Sequence, residues 1–387
     1  MSSPHTDTRS LSDLTTPCLL LDLQRMHRNI DRLAAHMASL NGTLRPHVKT
    51  NKCIQVTEAI IAGGHVNGIT VSTLAEAEYF FEHGYSDILY AVGIVPAKLP
   101  AVADLTRRGC DLKIVLDSVE IARAVAADAE NRRVTHRVMI ELDSDGHRSG
   151  VRFDDDSLLD IARVIAASRH CELVGVMTHA GESYSCRDAT SLLALARQER
   201  DTSVAAAERI RADGIACPVV SIGSTPTAFA IDNLDGVTEV RAGVYVFFDL
   251  VMTGIGVCEQ ADIALSVLVS VSGYQKERNL AITDGGWMAM SRDRGTQDQP
   301  VDYGYGAVLD SESRPLEDLV VSGVNQEHGI ISRRKSDAAL PYDRLPLGEL
   351  LRILPNHACA TAAQFDEFVV VGNDNRIIDR WSRTRGW

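Results

Sequence analysis

The chain has 387 residues, 45% hydrophobic and 24% charged, the balance of an ordinary globular protein long enough for two domains. Its formal net charge of -13 argues against a nucleic-acid surface or a face for anionic lipid, but leaves room for a local basic pocket that takes a small anion. The opening residues, MSSPHTDTRSLSD, are polar, and no apolar run is long enough to span a bilayer, so the expected compartment is the cytoplasm, with no nucleic-acid or membrane partner. The eight cysteines, at positions 18, 53, 110, 171, 186, 217, 258 and 359, form no CxxC pair, which indicates neither a disulfide frame nor a zinc finger.

Taken in chain order, CLLLDL (18–23) is a strand candidate. A helix follows, with Met26, Ile30, Leu33 and Met37 at helical spacing. From about Asn41 to Leu250, short β-branched or apolar runs alternate with amphipathic segments. The strand candidates are TLRPHVK (43–49), GITVS (68–72), DILYAV (87–92), DLKIVLD (111–117), HRVMIELD (136–143), ELVGVMTH (172–179), PVVSIGS (218–224) and TEVRAGVYVFF (238–248). Helix candidates between them include Val56–Ala62, Leu74–Glu82, Leu158–Ala167 and Ala189–Ala212. This alternation predicts parallel βαβ units, and eight strands in succession predict a closed (β/α)8 TIM-type barrel within an α/β fold. After about Val257 the helical rhythm fades into IALSVLVSVSGY, LAITDGG, DLVVSGV, LLRILP, EFVVVG and RIIDRW. These predict a mostly antiparallel β domain that also takes the early strand. The expected division is a barrel over 24–255 and a β domain over 1–23 and 256–387.

Three short stretches carry chemistry. In TLRPHVKTNK, strand alternation puts Arg45, His47 and Lys49 on one face and Leu44, Pro46 and Val48 on the other. The apolar set suits the surrounding helices, so the polar set points into the barrel, towards its catalytic mouth. Glu141 and Asp143 are expected as barrel fillers paired to Arg45. A lysine at such a mouth has one outstanding use, a Schiff base with a carbonyl. If that carbonyl belongs to pyridoxal phosphate, the chain also needs a phosphate cradle. SIGSTPT (221–227) offers Gly223, Ser224, Thr225 and Thr227 after the seventh strand, and RAGVY (241–245) offers Gly243 and Tyr245 after the eighth. The third stretch is PNHACAT (355–361), where an extended backbone would turn His357 and Cys359 the same way. By itself this spacing fits a buried cysteine beside a structural histidine better than a metal pair.

The stretches TPCLLLDL, RPHVKT, TVSTLAEAE, DGHRSGV, THAGESY, SIGSTPT, EVRAGVYVF and LPNHACAT span nearly the whole chain. Together they resemble the fold-type III, alanine-racemase-like pyridoxal-phosphate enzymes, in the branch of D-serine dehydratase and D-threonine aldolase. The resemblance implies that Lys49 carries pyridoxal 5'-phosphate, with Arg148 near the cofactor's phenolic oxygen; His47 is expected to orient Lys49 or the cofactor. It places His179 and Tyr184 by the ring, and Gly223, Ser224, Thr225, Gly243 and Tyr245 around the cofactor. It also makes His357 and Cys359 ligands of a divalent metal, since dehydratases of the branch carry H-x-C here and aldolases H-x-D. A thiolate with an imidazole favours zinc, with manganese, magnesium and cobalt as alternatives. The implied substrate is a D-3-hydroxy amino acid. Either 3-hydroxyaspartate would give oxaloacetate and ammonia, or D-serine would give pyruvate and ammonia. The implied assembly is a homodimer in which NQEHG (325–329) and DGGWMAMSRDRG (284–295) complete the partner's site. Three alternatives stand beside this reading. One is an aldolase releasing glycine and an aldehyde. Another is a metal-free racemase. The third is a non-catalytic pyridoxal-phosphate carrier, against which the β domain argues.

Overall fold

The computed structural model describes residues 10–387; the first nine, part of the polar opening segment, lie outside the described residues. The chain forms two compact units, one of Met1–Ile30 with Val244–Arg383 and one of Asp31–Gly243 with Thr384–Trp387. The early strand β1 (Cys18–Asp22) leads into helix α1 (Leu23–Ser39), which buries Met26, Ile30, Leu33 and Met37 as their spacing predicts.

In the second unit, seven parallel strands lie in sequence order: β2 (Ile69–Val71), β3 (Asp87–Gly93), β4 (Asp111–Leu116), β5 (His136–Leu142), β6 (Cys171–Thr178), β7 (Val219–Ile222) and β8 (Glu239–Val240). Residues 43–48 close them into a ring. Leu44 bridges to both Val66 and Val240, and His47 to Thr70. The His47 amide donates to the Ala242 carbonyl at 2.8 Å, and the Thr70 amide donates to Pro46 at 2.8 Å. Pro46 has no N–H to give, so this eighth member pairs at isolated bridges rather than along a ladder. The expected strand at 238–248 is much shorter: it ends at Val240, and Val244–Val246 forms a 3-10 turn. Its apolar run was misleading because Tyr245, Phe247 and Phe248 are core residues of the other unit, buried to 0% exposure.

Three layers of side chains fill the ring. The middle one is apolar, formed by Leu89, Val115, Met139, Val174 and Met177. Below it, at the strands' N-terminal ends, lies a chain of ion pairs. Arg45 binds Glu239 and Asp87, each at 2.8 Å. Lys113 binds Asp87 at 2.6 Å and Asp111 at 2.8 Å, and Arg137 binds Asp111 and Glu172. Arg45 therefore does not pair with Glu141 or Asp143. Glu141 is bound instead by Arg148, and the Asp143 carboxylate accepts the amides of Asp145 and Gly146 within its own loop. Arg45 lies four residues before Lys49, which puts it at the opposite end of the strand interior. Above the apolar layer is the third, the mouth.

Helices between the strands start at side-chain caps. Thr73 caps α3 (Leu74–Glu82), Ser118 caps α5 (Val119–Arg132) and Asp188 caps α7 (Ala189–Ala212). Helices α2 (Ile54–Ala62), α4 (Leu99–Arg107), α6 (Ser157–Ala167) and α8 (Thr225–Ala230) complete the set between the strands.

In the first unit, six antiparallel strands close on themselves in the order β9 (Leu265–Gln275), β10 (Leu280–Thr283), β13 (Gly329–Arg333), β12 (Pro315–Val324), β11 (Gly306–Asp310) and β14 (Leu350–Pro355), with β14 pairing back to β9. The early strand β1 runs antiparallel to β9 and parallel to β15 (Glu367–Val371), and β16 (Ile377–Ser382) pairs with β15. Leu20, Leu268, Val369, Val371 and Ile377 form the core there. The early strand thus joins the β domain as its sequence suggests.

Candidate active site

Lys49 stands in the turn just after the ring-closing segment and is exposed. Its backbone N–H donates to His47 Nδ1 at 3.4 Å. An atom that accepts a proton donor carries no proton itself, so the proton of a neutral His47 is on Nε2. The neutral form is favoured: burial first, and then Lys49, Arg241 and His179, lower the imidazole pKa well below its ordinary value. His179 follows β6 and has the opposite tautomer. Its Nδ1 lies 3.2 Å from the Gly223 carbonyl, which can only accept, so Nδ1 bears the proton and Nε2 the lone pair. Burial and the Lys49 charge push the His179 pKa down to about 3. Tyr184 is beside it, with ring centroids 6.1 Å apart. Arg148 is largely exposed and reaches Glu141 at 3.3 Å.

The loop after β7 begins at Gly223, whose φ of +127° is a conformation that side chains rarely adopt, and a Cβ there would come within 2.3 Å of the Arg241 carbonyl. Ser224 caps α8 through Thr227 and touches the Ser183 hydroxyl at 2.9 Å. At Gly243 a Cβ would come within 2.9 Å of the His47 carbonyl. Thr225 is buried, and its hydroxyl has no hydrogen-bond partner among the described residues. Buried hydroxyls are normally paired. An orphaned one beside a glycine-built loop fits a phosphate group that would accept its proton. Lys49, His47, Arg148, His179, Tyr184, Gly223, Ser224, Thr225 and Gly243 thus all lie at the strands' C-terminal ends. Tyr245 belongs to the other unit, where its phenol is fully buried, its oxygen is likewise unpartnered among the described residues, and burial raises its pKa.

His357 and Cys359 meet, but not along an extended segment as expected. His357 is extended at the N-cap position of the short helix Ala358–Ala362, while Cys359 lies in that helix's first turn. The two side chains are close enough to hydrogen-bond. Asp293 accepts from His357 Nδ1 at 2.8 Å, which leaves Nε2 as the nitrogen that a metal could bind. Burial opposes a charge on His357, yet Cys359 and Asp293 outweigh it and raise the pKa to about 11. Asn356 anchors the turn by donating to the Asp293 and Gly304 carbonyls, and Asp249 accepts the Ala358 amide at 2.9 Å. A thiol and a carboxylate-oriented imidazole suit a zinc-like cation. Among the described residues no group of three or more His, Cys, Asp or Glu is arranged to hold a metal, so two protein ligands are what the motif offers.

Residues 21–251 match the family described as alanine racemase, N-terminal domain. The chain belongs to that family. Residues 264–371 also match a serine dehydratase domain, so this member joins the racemase-type barrel to a dehydratase-type β domain. It is 52% identical over 381 residues to D-threo-3-hydroxyaspartate dehydratase of Delftia sp. (strain HT23), covering 98% of this chain and 99% of that one. It is 30% identical to D-serine dehydratase of Dictyostelium discoideum, covering 97% and 98%. A solved structure of a cysteine-to-alanine variant of D-threo-3-hydroxyaspartate dehydratase, in a metal-free form, superposes with a TM-score of 0.95 at 52% identity, covering 98% of this chain and 100% of that one.

Two groups of this family member escaped the sequence reading. Glu199 of α7 is completely buried, and its Oε1 accepts the amides of Ala180 and Gly223, each at 3.0 Å. The signal was available: Leu192, Ala196, Glu199, Ser203, Ala206 and Ile210 form one buried helical stripe with a single carboxylate in it. The second is Arg241, at the head of the RAGVY run. It is buried, donates to Ser221 Oγ at 2.7 Å and to the Thr178 carbonyl, and burial lowers its pKa.

Proposed function

We propose that the protein is a lyase that dehydrates a D-3-hydroxy amino acid, D-threo-3-hydroxyaspartate first and D-serine second, to a keto acid and ammonia. The observation that carries this is the His357–Cys359 pair with Asp293 behind it, in a chain 52% identical to an enzyme named for that reaction. Lys49 is the attachment point of pyridoxal phosphate. Thr225, Ser224, Gly223 and Gly243 hold its phosphate end, His179 and Tyr184 flank its ring, and Arg148 sits by its phenolic oxygen.

When bound, pyridoxal phosphate supplies an electron sink for the α-carbon, and a divalent metal, zinc first among candidates, supplies Lewis acidity for the departing hydroxide. The chain's own residues do the rest. Lys49 Nζ takes the α-proton. His47 and His179, neutral and of opposite tautomer, offer one donor and one acceptor without adding charge beside Lys49. Asp293 orients His357 so that Nε2 and the Cys359 sulfur face one ion. The proposed barrel domain is 24–255, the β domain is 1–23 with 256–387, and the working form is a cytoplasmic homodimer in which 284–295 and 325–329 approach the partner's site.

The test is product analysis. Purified protein with pyridoxal phosphate and zinc is incubated with D-threo-3-hydroxyaspartate, D-serine and D-threonine, following ammonia, keto acid and glycine separately. Ammonia with a keto acid, lost on chelation, is the expected result. Glycine with an aldehyde would replace this reading with an aldolase, and products insensitive to chelation would remove the metal from it.

A further inference from the structure

Glu199 has no place in the chemistry just described, yet it is a fully buried carboxylate in the middle of an apolar and small-residue stripe. Such a group stays in a core only when it is bound, because burying it unpaired is costly. What it binds is specific. The two amides at its Oε1 belong to Ala180, which follows His179, and to Gly223, which opens the loop of Ser224 and Thr225. One oxygen atom therefore joins the loops after β6 and β7. The linkage closes on itself, since the Gly223 carbonyl accepts from His179 Nδ1 at 3.2 Å. Glu199 holds the Ile222–Gly223 peptide by its N–H, and the following peptide, which carries the Gly223 carbonyl, is held by the Ser224 N–H donating to Thr227 Oγ1 at 2.9 Å, so the glycine is fixed on both sides and the carbonyl stays aimed at the imidazole. The φ of +127° at Gly223 and the Arg241 backbone packed 2.3 Å from where a Cβ would be leave that peptide no other place to go. The Thr227 side chain also lies close enough to favour the charged form of the carboxyl, so Glu199 is held by the two amides at Oε1 and by the start of α8.

We infer that Glu199 is a positioning residue of the cofactor seat: through the Ala180 and Gly223 amides it fixes the Nδ1–H tautomer of His179 and the placement of the 223–225 loop. The inference rests on the cofactor reading above. Glu199 touches neither cofactor nor substrate; it acts through two loops that do. Burial also raises the pKa of its carboxyl, as expected for a group isolated from solvent.

The test compares Glu199→Met, which keeps the length but has no acceptor, with Glu199→Gln, whose Oε1 still accepts both amides. In Glu199→Met, pyridoxal phosphate should bind at least tenfold more weakly, the visible absorption of the bound cofactor should shift, and the thermal midpoint gained on cofactor binding should shrink. Glu199→Gln should return binding to within threefold of wild type. Equal cofactor affinity in Glu199→Met and wild type, with both forms of the variant melting lower by the same amount, would reduce Glu199 to a fold-stabilising group and overturn the inference. If Glu199→Met does not fold, the wild type still decides. Long-range ¹H–¹⁵N correlation on the His179 ring, assigned with His179→Asn, should find the proton on Nδ1; a proton on Nε2 overturns the inference. A wild type that binds no pyridoxal phosphate would refute the cofactor reading instead, and comparing the His179 tautomer of wild type with that of Glu199→Met would still test Glu199.

Discussion

The two ends of the barrel are made from the same strands and treat charge in opposite ways. At the N-terminal end Arg45, Glu239, Asp87, Lys113, Asp111, Arg137 and Glu172 form a chain in which each charge has an opposite partner. At the C-terminal end, Lys49 is exposed, two histidines are kept neutral, and the Thr225 hydroxyl is buried without a partner among the described residues. A fully paired network rigidifies; an unpaired one is retained only where a ligand completes it. The difference separates structure from function better than residue type does, because both ends are rich in lysine, arginine and carboxylates.

The largest effect should come from the mouth. Lys49→Ala should lower kcat by on the order of a thousandfold or more, since in the proposed mechanism it removes both covalent attachment and proton transfer. The melting temperature of the cofactor-free protein should stay within about 2 °C, because an exposed side chain outside any network contributes little. A large drop in that temperature would mean that the mouth is structural after all.

The opposite end should respond in the opposite way. Lys113→Met leaves Asp87 and Asp111 facing each other without the ammonium that joins them. Removing one partner of a buried network costs about 3–5 kcal/mol, and the partial exposure of both aspartates reduces this to roughly 2–3 kcal/mol. Urea unfolding should register that loss, while kcat and cofactor affinity should stay within twofold. A kcat loss beyond tenfold would break the distinction between the two ends.

Much of this was legible in the sequence and some was not, for identifiable reasons. Helix α3 lies at Leu74–Glu82 and α7 at Ala189–Ala212, as expected, because both have a capping side chain and a continuous buried stripe. Strict alternation put Arg45, His47 and Lys49 on one face but could not say that four residues carry the chain from the bottom of the barrel to its mouth. The run at 238–248 looked like one strand because hydrophobicity does not tell which of two cores a residue enters. His357 and Cys359 were found as a pair, although a helix start, not an extended segment, brings them together. Glu199 was hidden because a single glutamate in a helix usually faces water.

Acid should unfold the two ends in separate windows. The folded pKa of His179 lies at about 3 against an ordinary 6.5, and that of His47 is lowered too. Between those values the unfolded chain binds more protons, so their contribution is complete above about pH 6.5 and is lost as pH falls, at up to about 1.4 kcal/mol per pH unit per histidine. Burial tends to raise the pKa of Asp87 and of Asp111. Arg45 and Lys113 at the first, and Arg137 and Lys113 at the second, outweigh it and lower both below 3.8. Their contribution is present above about pH 4 and disappears only below it. Thermal midpoints of the cofactor-free protein from pH 8 to 3 should therefore fall in two stages. His179→Asn should flatten the first, and Lys113→Met the second. A single stage near pH 4 would mean that the histidines are not neutral in the fold.

The smallest effect has two signs, which makes it the sharpest. Thr225→Val keeps the side chain's shape and removes its hydroxyl. In the cofactor-free protein that hydroxyl is buried without a partner among the described residues, and such a group costs about 1–3 kcal/mol, so the variant should melt at the same temperature or slightly higher. If a phosphate completes the site, the same change removes a hydrogen bond to a charged acceptor, worth about 1.5 kcal/mol, and pyridoxal phosphate should bind roughly tenfold more weakly. Equal or higher stability with weaker binding is the pattern of a group held for a ligand. A loss of stability with unchanged binding would assign Thr225 to the paired, structural end of the comparison, despite its place at the mouth.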